Sequence, residues 1–194
     1  ESLEFNKGVD WQDVAFIGGV ESFMIKNKIV SVIIVCNKEF EIIDQSYFTD
    51  SLRFPYIHGF KSYREIPSVL GAYKKLQEKP GLLLIKGEGI NHERLGIASH
   101  LALALDLPVI GVSDDLYEGN EIKNNAVFMG KKEVGKSLQS KQGSRPLIIS
   151  PGNKIGVDQS LEIVEKIIVQ PHKLPEPLVL AHKYAKDIRK EISF

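Results

Sequence analysis

The sequence predicts an α/β fold built on one mixed sheet, because two different strand patterns follow each other along the chain. Three extended segments rich in β-branched and aromatic residues come first, with short polar breaks between them, at Val14–Ile25, Ile29–Asn37 and Phe40–Thr49. Such short connections imply antiparallel neighbours. Continuous apolar runs at 81–85 and 108–112 then flank a helical segment, which indicates parallel strands buried on both faces.

Helical spacing of apolar residues predicts four helices. The first buries one face through apolar residues three and four positions apart, with Pro67 in its first turn, at Ile66, Val69, Leu70, Tyr73 and Leu76. The others are expected at about Glu93–Leu105, Val157–Ile168 and Pro177–Ile192, and a hairpin with surface loops is expected over 114–154. Three antiparallel strands, then parallel strands with helices on both faces, is the order of an RNase H-like fold.

Composition limits the classes of protein that fit. A chain of 194 residues, 43% hydrophobic, is long enough for one substantial core, so we expect a single domain over 1–194. The oligomeric state stays open, with a monomer favoured. The formal charge is +0, so a polyanion site must be a local patch. Apolar stretches are too short for a membrane span, and the single cysteine, Cys36, is expected in the core, which fits a reducing cytoplasm. The chain begins with Glu1 rather than Met, which leaves open whether its N-terminus is complete.

Short motifs, kept in order over nearly the whole chain, resemble those of the endonuclease V family. Residues 55–67 read PYIHGFKSYREIP, which is similar to that family's Pro-Tyr turn, Gly-Phe pair and aromatic-Arg-Glu-x-Pro helix start. Residues 87–100, GEGINHERLGIASH, resemble its Asp-Gly-x-Gly, His-Pro-Arg and Gly-x-Ala-Ser-His run. The match continues through 110–112, 150–152 and 174–182. One such motif would be weak alone, and their shared order and spacing carry the resemblance.

The resemblance implies a metal-dependent endonuclease that hydrolyses a phosphodiester bond near inosine or another deaminated base in DNA or RNA. Its implied cofactor is Mg²⁺, for which Mn²⁺ can substitute. Two divalent ions about 3.5–4 Å apart can activate water, balance charge on phosphoryl oxygens and stabilise the leaving oxygen. Such ions prefer oxygen ligands, so carboxylates are the residues to seek. Two alternatives are a homologue that binds nucleic acid without cutting it, and a scaffold kept for protein interaction alone.

Two glutamates are the first candidates for catalysis and metal binding. By the resemblance, Glu21 stands where the family has its first-strand aspartate, although its side chain is one methylene longer. Glu65 matches the family's helix-start glutamate. The alternatives are an outward surface residue for Glu21 and, for Glu65, a first-turn carboxylate stabilised by the helix dipole.

The ends of the fourth and fifth strands depart from the family pattern. Lys86 stands where the family has an aspartate, and an ammonium group cannot ligate Mg²⁺. Where the family has a lysine after the fifth strand, this chain has Asp114. One hypothesis is an exchange, in which Asp114 completes a metal site with Glu21 and Glu65 while Lys86 contacts phosphate or activated water. The alternative is drift after catalysis was lost, and Glu88 is a second candidate for the missing carboxylate.

Further candidates follow from the later motifs. His182 matches the family's C-terminal histidine and would hold a metal-bound water, or else it is a structural residue on a helix. His92 and Arg94 are expected at the N-terminus of the second helix, which suits a phosphate, with simple capping as the alternative. The glycine-rich loop with Gly87 and Gly89 is expected to contact nucleic acid.

Two segments are expected to bind the nucleic acid. In the first, by the resemblance, Tyr56 acts as a wedge that helps to hold a flipped base, with Pro55, Ile57, His58 and Gly59 around it. A buried tyrosine that anchors a loop is the alternative. The second, residues 131–154, has six basic residues against one acidic residue, a local charge of +5. These would follow the phosphate backbone, unless they are only solvated loop residues: Lys131, Lys132, Lys136, Lys141, Arg145 and Lys154.

Overall fold

The computed structural model describes residues 8–52, 54, 57 and 60–192. Four residues of the predicted base-recognition turn, Pro55, Tyr56, His58 and Gly59, lie outside the described residues. Ile57 is described and is exposed. Among the described residues, no helix combines the length and the apolar character that crossing a bilayer requires.

In the part of the chain that the structure describes, nine strands form one sheet. Their order is β3-β2-β1-β4-β5-β9-β8-β7-β6, with β1 and β4 near the centre. In chain order the strands are β1 Ile17–Ile25, β2 Lys28–Cys36, β3 Ile42–Ser51, β4 Leu82–Lys86, β5 Val109–Ser113, β6 Asn120–Lys123, β7 Ala126–Met129, β8 Lys132–Leu138 and β9 Leu147–Asn153.

The strand pairing confirms the predicted mixed sheet. β1, β2 and β3 are antiparallel neighbours, joined by the short connections seen in the sequence. β4 is parallel to β1, and β5 is parallel to β4. The carboxyl ends of these three parallel strands therefore meet at one edge of the sheet, where sites of α/β proteins commonly form.

The helices cover both faces of the sheet, as the sequence predicts. Within the described ranges there are four helices: α1 Lys61–Lys75, α2 Ile97–Leu105, α3 Val157–Lys166 and α4 Glu176–Ile192. One core packs α1 and α2 against Val20, Leu83 and Ile85. The other packs α3 and α4 against Ile17 and the alternate residues of β4. Because strand side chains alternate between faces, even positions of β1 face α1 and odd positions face α4.

Residues 114–154 differ from the prediction of a hairpin with surface loops. Four strands, β6 to β9, extend the sheet beyond β5, and β9 is buried along its whole length. β9 pairs antiparallel with β5, with a register shift at Val109/Ile110 that accommodates Pro151 and Gly152. Its partner lies some forty residues away in the sequence, so the local composition gave no sign of this pairing.

The two central helices begin at other positions than predicted. α2 begins at Ile97 rather than near Glu93, because Gly96 passes against the backbone of Glu88 and Gly89, where a Cβ would meet the Gly89 carbonyl oxygen at 2.2 Å. α1 begins at Lys61, so Pro67 lies inside the helix rather than in its first turn. Its hydrophobic face, with Ile66 and Val69 buried, agrees with the predicted spacing.

Candidate functional site

Lys86 and Glu21 contact each other at the carboxyl ends of β4 and β1. Val20 pairs with Ile85 in the parallel ladder, so the next residues along the two strands are neighbours on the α4 face of the sheet. The Lys86 Nζ atom lies 3.3 Å from Glu21 Oε2, and the two side chains are 33% and 15% exposed. The ion pair follows from strand register and is therefore held by the sheet itself.

Glu65 reaches the same edge from the opposite face. It lies in the second turn of α1, and its side chain is 17% exposed. β4 ends at Lys86 while β1 continues to Ile25. The sheet therefore has an opening beside the last residues of β1, and side chains from both faces of the sheet can enter it. Residues from both faces line a cleft of about 60 Å³ there: Val20, Glu21, Ser22, Lys61, Glu65, Ile85 and Lys86.

Burial raises the pKa of Glu65 above its ordinary value of 4.5. Removal from water is the largest cause and the Glu21 carboxylate raises this pKa further, whereas Lys61, Arg64 and a hydrogen bond with the Ser22 side chain lower it. Lys61 Nζ is 3.9 Å from Glu65 Oε1 and donates a 2.9 Å hydrogen bond to the Lys86 carbonyl oxygen. Two carboxylates and two ammonium groups therefore share the cleft and balance each other's charge.

His182 completes the contacts of Glu21 on the α4 face. Its Nδ1 lies 3.5 Å from Glu21 Oε1, and no described residue forms a hydrogen bond with that nitrogen. His182, Lys186 and Arg189 are spaced at four and three positions on α4, so they lie on one face of the helix. With Phe23 they line a second cleft of about 150 Å³ that opens from Glu21.

Asp114 lies apart from the two glutamates. Its carboxylate forms an ion pair with Lys173, a residue of the segment that precedes α4. β4 lies between β5 and β1 in the sheet, and Asp114 follows the last residue of β5. No group of three or more described His, Cys, Asp or Glu side chains could hold a metal ion, so Asp114 does not join Glu21 and Glu65 around one ion in this arrangement.

As folded, the cleft does not fit a divalent cation. Across the described residues there is no cluster of three or more His, Cys, Asp or Glu side chains with the spacing of metal ligands. Glu21 Oε2 is buried without a hydrogen bond from any described residue, and the charge that faces it is the Lys86 ammonium. An ammonium group has no lone pair to donate and repels a divalent cation. The fold brings Glu21, Glu65 and His182 together, but the Lys86 ammonium lies beside Glu21 at the carboxyl ends of β1 and β4.

The glycine-rich loop between β4 and α2 is closely packed against the end of β9. A Cβ on Gly89 would meet the Pro151 carbonyl oxygen at 2.1 Å, so only glycine fits there. Gly87 has φ +137°, which is also a backbone conformation that favours glycine. The buried Asn91 side chain accepts a hydrogen bond from the Gly89 amide, which fixes the turn. Close packing of the loop explains both glycines.

His92 and Arg94 lie in this loop and not at the helix N-terminus, because α2 begins at Ile97. His92 Nδ1 accepts a hydrogen bond from the Arg94 amide at 3.1 Å, and its ring lies 4.4 Å from that of Tyr117. The Arg94 guanidinium lies over the Phe60 ring at 4.9 Å. The prediction that these two residues lie at the helix N-terminus is therefore wrong, and a phosphate contact by them stays a prediction.

The basic segment 131–154 carries less free charge than its composition suggests. Lys136 pairs with Glu133 and Asp158, Arg145 pairs with Asp115, and Lys154 pairs with Asp106. Three of these four acidic partners lie outside the segment, so only folding reveals them. Lys131 in the β7–β8 turn and Lys141 in the β8–β9 loop are exposed. Lys132 also interacts with another group of the protein.

Sequence reasoning missed the cationic residues that surround the acidic cleft. Lys61 lines it from α1, and Arg64 lines a neighbouring cleft that shares Lys61 and Glu65 with it. Lys186 and Arg189 line the second cleft, which shares Glu21 with it, from α4. The Arg189 guanidinium lies over the Phe23 ring at 4.8 Å and donates a 3.3 Å hydrogen bond to the Met24 carbonyl oxygen. The helical spacing of Lys186 and Arg189 from His182 was the available signal.

Comparison with known proteins gives the family. The sequence pattern described as Endonuclease V matches residues 2–183. An endonuclease V of Thermosipho melanesiensis is 34% identical over 190 residues, which cover 94% of this chain and 84% of that protein.

Solved structures agree with that match. The crystal structure of an endonuclease V from Bacillus subtilis superposes with a TM-score of 0.90 at 25% identity, covering 98% of this chain and 87% of the other. The Ciona intestinalis endonuclease V, solved in complex with a 24mer DNA containing an inosine followed by a ribo-adenosine, shares the fold with a TM-score of 0.84 at 21% identity over 98% and 92% of the two chains. The chain therefore belongs to the endonuclease V family.

Proposed function

We propose that this protein recognises inosine-containing DNA or RNA at the two clefts that share Glu21, one beside α1 and the other beside α4. The observation that carries the proposal is the group of lysine and arginine side chains that line these two clefts on a protein whose formal charge is +0. Lysine and arginine side chains that neutralise phosphates supply most of the affinity of such interfaces. The Ciona relative, which was solved with inosine-containing DNA, supports inosine as the recognised base.

Different residues serve two parts of the ligand in this proposal. Lys61 and Arg64 on one side, and Lys186 and Arg189 on the other, face the phosphate backbone and hold its register. The turn with Tyr56 acts as a wedge, because an aromatic ring can fill the gap that the extruded base leaves, and it helps to hold that base. Arg94, whose guanidinium lies over the ring of Phe60 just before α1, is a further candidate for contact with the neighbouring backbone.

Binding without hydrolysis is the activity that the cleft favours as folded. Metal-assisted hydrolysis needs a cation that balances charge on the phosphoryl oxygens, and Lys86 already faces Glu21 where such an ion would need carboxylate ligands. No described third carboxylate joins Glu21 and Glu65 in the cleft.

A Mg²⁺- or Mn²⁺-dependent endonuclease is the second candidate function. It is favoured by the presence of two carboxylates and a histidine in one place, in a family of endonucleases. It requires Lys86 to withdraw from Glu21, and the exchange hypothesis requires in addition that Asp114 leave Lys173.

One experiment tests both candidates. Single-stranded DNA and RNA oligonucleotides with one inosine, and matched ones with guanine at that position, are titrated with the intact protein by fluorescence anisotropy and then incubated with Mg²⁺ or Mn²⁺ on denaturing gels. We expect tighter binding of the inosine strands and no cleavage. Equal affinity for inosine and guanine strands would contradict inosine recognition, and absence of any binding would favour a scaffold for protein interaction. Cleavage by the wild type would establish the second candidate.

A further inference from the structure

We propose that the Lys86 ammonium is a built-in cation that takes the electrostatic role of a metal ion in this cleft, so that the protein holds a backbone phosphate there without a divalent metal. The inference rests on the proposed function and specifies how its central contact is made. The ligand group is a phosphodiester of DNA or RNA, and the contact is an ammonium–phosphate pair supported by Glu21.

The position of Lys86 is fixed by the sheet. Lys86 pairs with Val112 in the β4–β5 ladder and follows the Val20–Ile85 pair of the β1–β4 ladder, so its backbone cannot shift without breaking both. The Lys61 Nζ atom also donates to the Lys86 carbonyl oxygen at 2.9 Å. A side chain leaving this backbone position lies directly beside Glu21, which explains the 3.3 Å contact.

The charges of the cleft are already balanced without a metal ion. Glu21 and Glu65 contribute two negative charges, and Lys61 and Lys86 contribute two positive charges. A divalent cation that entered would meet two ammonium groups and would have to displace Lys86 from Glu21. The residues that line the cleft, and not distant charges, therefore exclude a divalent cation from it.

Lys86 remains available to an anion. Its side chain is 33% exposed, whereas that of Glu21 is only 15% exposed, so a ligand reaches the ammonium first. An ammonium group has three N–H donors, and the contact with Glu21 uses one side of it. Glu21 then acts as a positioning residue that holds the ammonium at the strand end.

The first arm of the test measures Mn²⁺ binding to the intact protein by the electron paramagnetic resonance signal of free Mn²⁺. The wild type should bind no Mn²⁺ at this cleft, whereas Lys86→Asp should bind it at least about tenfold more tightly than the matched control Lys166→Asp. Lys166 is exposed on α3, away from the cleft, so its substitution makes the same change in net charge. Lys86→Met, which removes the ammonium without adding a ligand, separates loss of repulsion from gain of a carboxylate.

The second arm measures nucleic-acid affinity of the wild type by anisotropy in EDTA and in Mg²⁺. We expect the two affinities to agree within about twofold, and Lys86→Met to weaken binding by roughly tenfold in EDTA. Circular dichroism melting of each variant checks that it folds, and Lys86→Arg should restore the phosphate contact but not Mn²⁺ binding.

Each failure has its own meaning. Mn²⁺ binding by the wild type as tight as by Lys86→Asp would overturn the built-in cation, even if inosine is recognised. Unchanged affinity in a folded Lys86→Met protein would overturn the phosphate contact. Loss of discrimination between inosine and guanine, with the Mn²⁺ pattern as expected, would overturn only the proposed function.

Discussion

Replacing Gly19 by alanine tests how closely α4, which carries His182, is packed on β1. A Cβ at residue 19 would lie 2.0 Å from the Pro177 carbonyl oxygen and 2.4 Å from its carbon, in the first turn of α4. These are backbone atoms, so no side-chain rotation relieves the contact. Ordinary contact begins near 3.4 Å, so the start of α4 must retreat by about 1.4 Å.

The cost of this retreat can be estimated. Overpacking that forces a backbone shift costs about 3 kcal/mol, and the lower chain entropy of alanine in the unfolded state offsets up to about 1 kcal/mol. We expect Gly19→Ala to lower the free energy of unfolding by about 2 kcal/mol, and the melting temperature by roughly 4–8 °C for a chain of this size. The shift also moves His182 away from Glu21, so binding of inosine-containing strands should weaken.

The matched control is Gly81→Ala, at the start of β4. The nearest atom to a Cβ there is a Val14 methyl carbon at 3.8 Å, which is ordinary contact. Urea unfolding followed by circular dichroism should show this variant to be as stable as the wild type or slightly more stable. If Gly19→Ala stays within about 0.5 kcal/mol of the wild type while Gly81→Ala behaves as expected, the packing of α4 on β1 is not as described.

Three further predictions concern Glu65, Cys36 and Lys186. Because burial raises the pKa of Glu65, the stability that its neutral form contributes is fully present below pH 4.5 and is lost as the pH rises through the raised pKa. Glu65→Gln should therefore raise the melting temperature at pH 7 but not at pH 4, and an equal change in melting temperature at both pH values would refute this cause. Burial raises the pKa of the Cys36 thiol to about 12, so a thiol reagent at pH 8 should label the denatured chain only; rapid labelling of the native protein would contradict this. Lys186→Ala should weaken nucleic-acid binding and lower the slope of log K against log salt by about 1, while Lys166→Ala leaves it unchanged; equal slopes would remove Lys186 from the interface.

Local patterns predicted the elements on which the site is built. The β-branched runs of β1 and β2 and the apolar run of β4 indicate strands because each buries a row of side chains that the sequence displays. The predicted spacing of Ile66, Val69 and Leu76 likewise agrees with the buried face of α1. β9 was missed, because Ser150, Pro151 and Gly152 interrupt its apolar run and its partner β5 is distant in sequence.

The sequence by itself identified two carboxylates, a histidine and Lys86 as candidates for one site, but not the cationic residues around them. Only the tertiary structure decided how these groups meet. The register of β1 against β4 sets the Lys86 ammonium beside Glu21, while the strand order separates Asp114 from both glutamates and leaves it with Lys173. Such contacts join residues far apart in the chain, and their geometry depends on strand order and register, which no local pattern of residues specifies.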